Sequence, residues 1–115
     1  MSVKTIITEP NQILRQVSKL VDKVGKEEKK LMDDMLETMY AANGLGLAAI
    51  QIGIPKRIIV IDICKEKNIK KPQCFINPVI SEKNSLSSIY EEGCLSVPNQ
   101  FAEIDRPSTC KVDYL

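Results

Sequence analysis

Two short segments hold the residue types that can do chemistry. The first is Gly44-Leu45-Gly46-Leu47-Ala48-Ala49-Ile50-Gln51. Its glycines let main-chain amides approach a ligand, and Gln51 offers a side-chain amide donor for a developing oxyanion. A phosphate-cradling reading of G-x-G-x-x-A needs a strand before it and a helix after it. Here the expected order is the reverse. A plain helix stop followed by a small-residue strand is the structural alternative. The second segment is Glu91-Glu92-Gly93-Cys94-Leu95-Ser96-Val97-Pro98. Cys94 reads as a metal ligand, as a nucleophile, or as a small buried side chain beside a turn at Gly93.

The rest of the composition restricts these roles. The 115 residues contain no histidine. The commonest metal ligand and the commonest general base are therefore missing, and so is every Ser-His or Cys-His scheme. Cysteines stand at 64, 74, 94 and 110, with no C-x-x-C pair. Sixteen basic residues face fifteen acidic ones, so no strong field draws nucleic acid or an anionic membrane. The apolar runs are too short to span a bilayer. The start, Met1-Ser2-Val3-Lys4, lacks an apolar signal core. The expected setting is cytoplasmic, with free thiols.

The elements that must carry these segments follow from periodicity. Ile13, Leu14, Val17 and Leu20-Val21 are spaced like one helix face. Lys26 to about Ala42 reads as a second, stronger helix. Leu31, Met32, Met35, Leu36, Met39 and Tyr40 form its apolar stripe, and Asn43-Gly44 forms its stop. Strands are expected over Leu47 to Ile52, Arg57 to Ile63, Gln73 to Ile80, Ser87 to Glu92, Phe101 to Ile104 and Thr109 to Leu115. Asn77-Pro78 is expected to bend the third. The polar run 81–85 reads as the connection to the fourth. The fold class is α+β: helices first, then a mostly antiparallel sheet, in one domain over residues 1–115.

Taken together, in this order, the two segments resemble the motifs of the bacterial peptide deformylases. G-x-G-x-A-A-x-Q is matched from Gly44 to Gln51, and E-G-C-L-S from Glu92 to Ser96. The resemblance extends over the lead-in, the 26–42 helix, the Arg57 to Asp62 strand and the Phe75 to Pro78 segment. It implies a metal-dependent hydrolase that removes the formyl group from the initiator methionine of nascent chains. By position, Cys94 matches the thiolate ligand of the metal. Gln51 matches the side-chain oxyanion donor, and the Leu95 N–H the second donor. Leu45, Gly46, Glu92 and Gly93 match positions that line the substrate groove. A thiolate ligand fits Fe2+ and also accepts Zn2+ or Ni2+.

The family's third motif, His-Glu-x-x-His on a C-terminal helix, is absent from these 115 residues. It would supply two ligands and the base. One thiolate is short of the three protein ligands usual at a catalytic metal, so the isolated chain is expected to be inactive. Without that helix the sheet should expose apolar surface, calling for a dimer partner or a complementing C-terminal segment. Three readings stay open: a piece of a longer enzyme, one half of an enzyme completed in trans, and a non-catalytic module or structural remnant. Two intact motifs favour the first.

Overall fold

The computed structural model describes residues 2–64, 70–83 and 86–114. Helix α1 spans Lys26–Ala41. At its start the Glu28 carboxylate accepts from the Gly25 N–H at 2.9 Å, satisfying a donor that the first turn leaves orphaned. At its end Asn43 adopts a left-handed φ of 58°. The Asn43 N–H reaches the Tyr40 carbonyl, and the Gly44 N–H reaches the Met39 carbonyl at 2.9 Å. This 6→1 and 5→2 pair stops the helix where the sequence predicts.

The stripe on α1 forms half of the core. Leu31, Met35 and Met39 are buried, with Met32, Leu36 and Tyr40 packed at its margin. The other half is a three-stranded antiparallel sheet of β1 (Gly46–Ala48), β2 (Ile58–Ile61) and β3 (Gln73–Ile76). Leu47 opposes Val60, and Ile58 opposes Ile76, in a register that turns all four toward the helix. Each such side chain contributes about 1.5–3 kcal/mol by leaving water.

Several expected elements differ. The 13–21 helix is only a short 3-10 turn over Gln12–Arg15. Beyond it the chain is held in extended form by non-local bonds. Lys19 pairs with Pro55 and Arg57 through main-chain groups, and the Asn77 side chain both donates to and accepts from Val21 at 2.8 Å. The expected strand 47–52 ends at Ala48 and becomes a 3-10 helix over Ala49–Ile52, closed by Gly53 at φ 87°. The expected strand 73–80 is broken at Asn77, whose φ is 53°. Its second part is a separate strand, β4 (Val79–Lys83), which absorbs the start of the expected 81–85 connection.

The remaining strands form two antiparallel pairs. β4 pairs with β7 (Cys110–Asp113), and β5 (Ser87–Cys94) pairs with the long β6 (Val97–Pro107). The 101–104 candidate lies inside β6. These ribbons contribute little to the core, and Val79, Ile80, Ile89, Tyr90 and Phe101 stand exposed on them. Apolar sheet surface is thus exposed, as the sequence predicts.

Candidate functional site

The β5–β6 hairpin brings the second segment to the first. Its ladder runs from Ser87↔Pro107 to Gly93↔Phe101 and then jumps to Cys94↔Val97. Pro98, Asn99 and Gln100 therefore have no opposite residues on β5. Asn99 takes a left-handed φ of 63°. An irregularity of this kind bends a ribbon and re-aims its end. The turn lies at Leu95-Ser96 rather than at Gly93, and Cys94 is exposed rather than buried.

The re-aimed tip meets the 3-10 helix that carries Gln51. The Ala48 N–H donates to Gln51 Oε1 at 2.9 Å. A backbone N–H can only donate, so it settles which way the carboxamide faces. Nε2 then points at the hairpin, 3.1 Å from Ser96 Oγ and 3.7 Å from Cys94 Sγ. The lead-in clamps both partners. The Ile7 N–H donates to the Gln51 carbonyl at 2.7 Å, and the Glu9 N–H to the Ser96 carbonyl at 2.8 Å.

Between these parts lies a cleft of about 710 Å³. Leu45, Gly46, Gln51, Gly93, Cys94 and Leu95 all line it, and the 98–100 irregularity closes one side. Glu92 alone of the expected site residues stands outside that lining. Its carboxylate takes a two-point ion pair from Arg106, at 2.6 and 2.8 Å, which holds it below the usual carboxylate range. A β-carbon at Gly93 would stand 2.7 Å from the Phe101 ring, so a larger residue there must displace that exposed side chain.

A part-buried polar network lies beside the cleft and is tied to it through Leu45. Tyr40 Oη donates to Asp62 at 2.5 Å, a charge-assisted bond of the strong, short kind. Asp62 also accepts the N–H groups of Cys64 and Lys71, and its own N–H holds the Leu45 carbonyl at 2.9 Å. The Tyr40 bond, followed by that of Cys64, holds the Asp62 carboxyl below its usual range. Burial, then the Asp62 bond, pushes the Tyr40 phenol up to about 12. Neither residue stands out in the sequence. Ser96, Asp62 and Tyr40 gain their meaning only from partners distant along the chain.

An aimed amide donor beside a thiol, in a cleft edged by exposed main chain, is the equipment of an amide-hydrolysing site. The comparisons agree. The family model described as polypeptide deformylase matches residues 3–115. A peptide deformylase of Pelagibacter ubique (strain HTCC1062) is 67% identical over all of this chain, covering 67% of the relative. The crystal structure of the Ehrlichia chaffeensis peptide deformylase in complex with actinonin superposes with a TM-score of 0.94 at 44% identity, over 100% of this chain and 69% of that one. The Met-Ala-Ser-bound deformylase of Acinetobacter baumannii gives 0.92 at 31% identity, over 100% and 78%. The chain belongs to the peptide deformylase family, enzymes that remove the N-formyl group from initiator methionine. It spans about two thirds of the length of the curated relatives it matches.

The family implies a metal cofactor. The residues here do not fit one by themselves. Among the described residues no group of three or more His, Cys, Asp or Glu side chains is placed to hold a metal ion, and the sequence has no histidine. Cys94 is a single donor. No described helix is long and apolar enough to cross a membrane.

Proposed function

We propose that this chain supplies the oxyanion donors, the substrate cleft and one thiolate ligand of a deformylase acting on N-formylmethionyl peptides. The observation that carries the reading is the Gln51 carboxamide, anchored at Oε1 by Ala48 so that Nε2 faces Cys94. When the formamide carbonyl becomes tetrahedral, its oxygen gains charge. Gln51 Nε2–H donates to it, and the Leu95 N–H, at the turn beyond the end of β5, donates second. Such donors contribute about 2.7–4 kcal/mol each in related chemistry. Leu45, Gly46 and Gly93 border the bound peptide, and Glu92 stiffens the hairpin through Arg106.

Cys94 is the proposed metal ligand, with Fe2+ favoured and Zn2+ or Ni2+ accepted. The other ligands and the base come from residues outside these 115. The domain is single, the setting cytoplasmic, and the isolated chain inactive. The test uses formyl-Met-Ala-Ser. The isolated chain should bind it, with NMR shifts at Gly46 and Leu95, and release no formate. Adding the C-terminal third of the Pelagibacter ubique relative with Fe2+ should start formate release. Release by the isolated chain would overturn the incompleteness. Binding without release after complementation would favour a non-catalytic recognition module instead.

A further inference from the structure

We infer that Ser96 is a positioning residue, whose hydroxyl fixes the direction of the Gln51 amide donor. Ser96 is 4% exposed, although its neighbours on the hairpin tip, Cys94 and Val97, are exposed. A hydroxyl enclosed this way costs free energy unless it is hydrogen-bonded. Its partner is Gln51 Nε2, at 3.1 Å.

The geometry divides the work of the carboxamide. Oε1 is taken by the Ala48 N–H. Two Nε2 protons remain. Ser96 Oγ accepts one, and the other is left toward Cys94 Sγ, 3.7 Å away. With one proton committed and the oxygen anchored, the carboxamide cannot rotate without breaking two bonds. The serine itself is fixed by main chain, because Glu9 holds its carbonyl at 2.8 Å while Ile7 holds that of Gln51 at 2.7 Å. One segment, residues 7–9, thus sets the spacing between hydroxyl and amide. Alanine at 96 would leave the amide anchored at a single point, free to swing its donor away from the cleft. Threonine would keep the oxygen.

The geometric part stands on the structure alone. That the fixed donor serves an oxyanion rests on the deformylase reading above, and the experiment separates the two. In the 15N-labelled chain, the two side-chain amide protons of Gln51 should be distinct and protected from exchange, with a nuclear Overhauser contact to Ser96 Hβ. Ser96→Ala should bring both toward free-amide positions and speed their exchange, and Ser96→Thr should preserve them. If the alanine variant fails to fold, the wild-type contact and the threonine variant decide. Gln51 protons that behave as a free amide in the wild type, or that do not change in Ser96→Ala, would overturn the assignment. In the complemented enzyme, Ser96→Ala should lower kcat about 10- to 100-fold, leave KM unchanged, and be rescued by Ser96→Thr. An equal rise in KM with kcat intact would also overturn it. If the complemented wild type does not turn over, the deformylase reading fails while the NMR result still decides the positioning.

Discussion

The Leu95 side chain fills the space in front of Gly44: a β-carbon on Gly44 would stand 2.7 Å from Leu95 Cδ1. Glycine is needed there because of a neighbour from the other segment. The left-handed residue of this turn is Asn43, at φ 58°. Leu95 also packs against the core cluster, so the contact ties the hairpin tip to the end of α1.

Gly44→Val should therefore overpack this junction and lower stability by about 1–3 kcal/mol, read from urea unfolding. Leu95→Ala in the same chain should return part of the loss. An unmoved urea midpoint for Gly44→Val would contradict the contact. Failure of Leu95→Ala to return any of the loss would show that the strain does not come from the Leu95 contact.

Cys94→Ser should leave the fold intact, because the thiol is exposed and the change is nearly isosteric. The expected shift in stability is within about 0.5 kcal/mol. In the complemented enzyme the same variant should lose formate release. Normal turnover would remove Cys94 from the ligand set.

Gln51→Glu keeps an oxygen for the Ala48 N–H but replaces the donor with an acceptor facing Ser96 and Cys94. In the complemented enzyme kcat should fall about 10²–10³-fold, while thermal unfolding shows a folded chain. A variant with wild-type kcat would place the oxyanion elsewhere.

Asn77 closes two bonds on Val21, one in each direction. Asn77→Ala orphans both main-chain groups and puts alanine, which favours the left-handed region less than asparagine does, at φ 53°. The expected loss is about 1–3 kcal/mol, with faster hydrogen exchange at the Val21 amide. Unchanged exchange there would show that the lead-in is held by other contacts.

The Tyr40–Asp62 bond gives a pH signature with two ends. The Asp62 carboxyl is held below its ordinary 3.8, first by Tyr40. A lowered folded value means stability that is present above 3.8 and lost as pH falls through the folded value. The Tyr40 phenol is raised from 10.0 to about 12, first by burial. That contribution is present below 10.0 and lost as pH climbs through about 12. Tyr40→Phe should raise the acid-unfolding midpoint and remove the late phenolate step from the absorbance titration. A wild-type titration with no late step would contradict the buried bond.

The sequence by itself determined the features that depend on near neighbours. The pairs Leu31-Met32, Met35-Leu36 and Met39-Tyr40 specify one helix face, and Asn43-Gly44 specifies its end, because capping is satisfied within five residues. The residue types at Gln51 and Cys94 left plain alternatives open, a strand-end amide and a small buried thiol, and the donor and ligand roles are what the resemblance implies. Tertiary structure decided the rest. Ala49–Ile52 reads as strand by composition yet winds into a 3-10 helix, where Gln51 Oε1 turns back onto the Ala48 N–H and the Ile7 N–H takes the Gln51 carbonyl. Ser96 reads only as the last residue of the E-G-C-L-S segment, and its contact with Gln51 appears only when the unmatched residues 98–100 bend the hairpin onto Gln51. Local periodicity encodes which face of an element is apolar. It does not encode where a side chain aims when its partners arrive from distant parts of the chain, as Ser96 and Cys94 do for the Gln51 carboxamide.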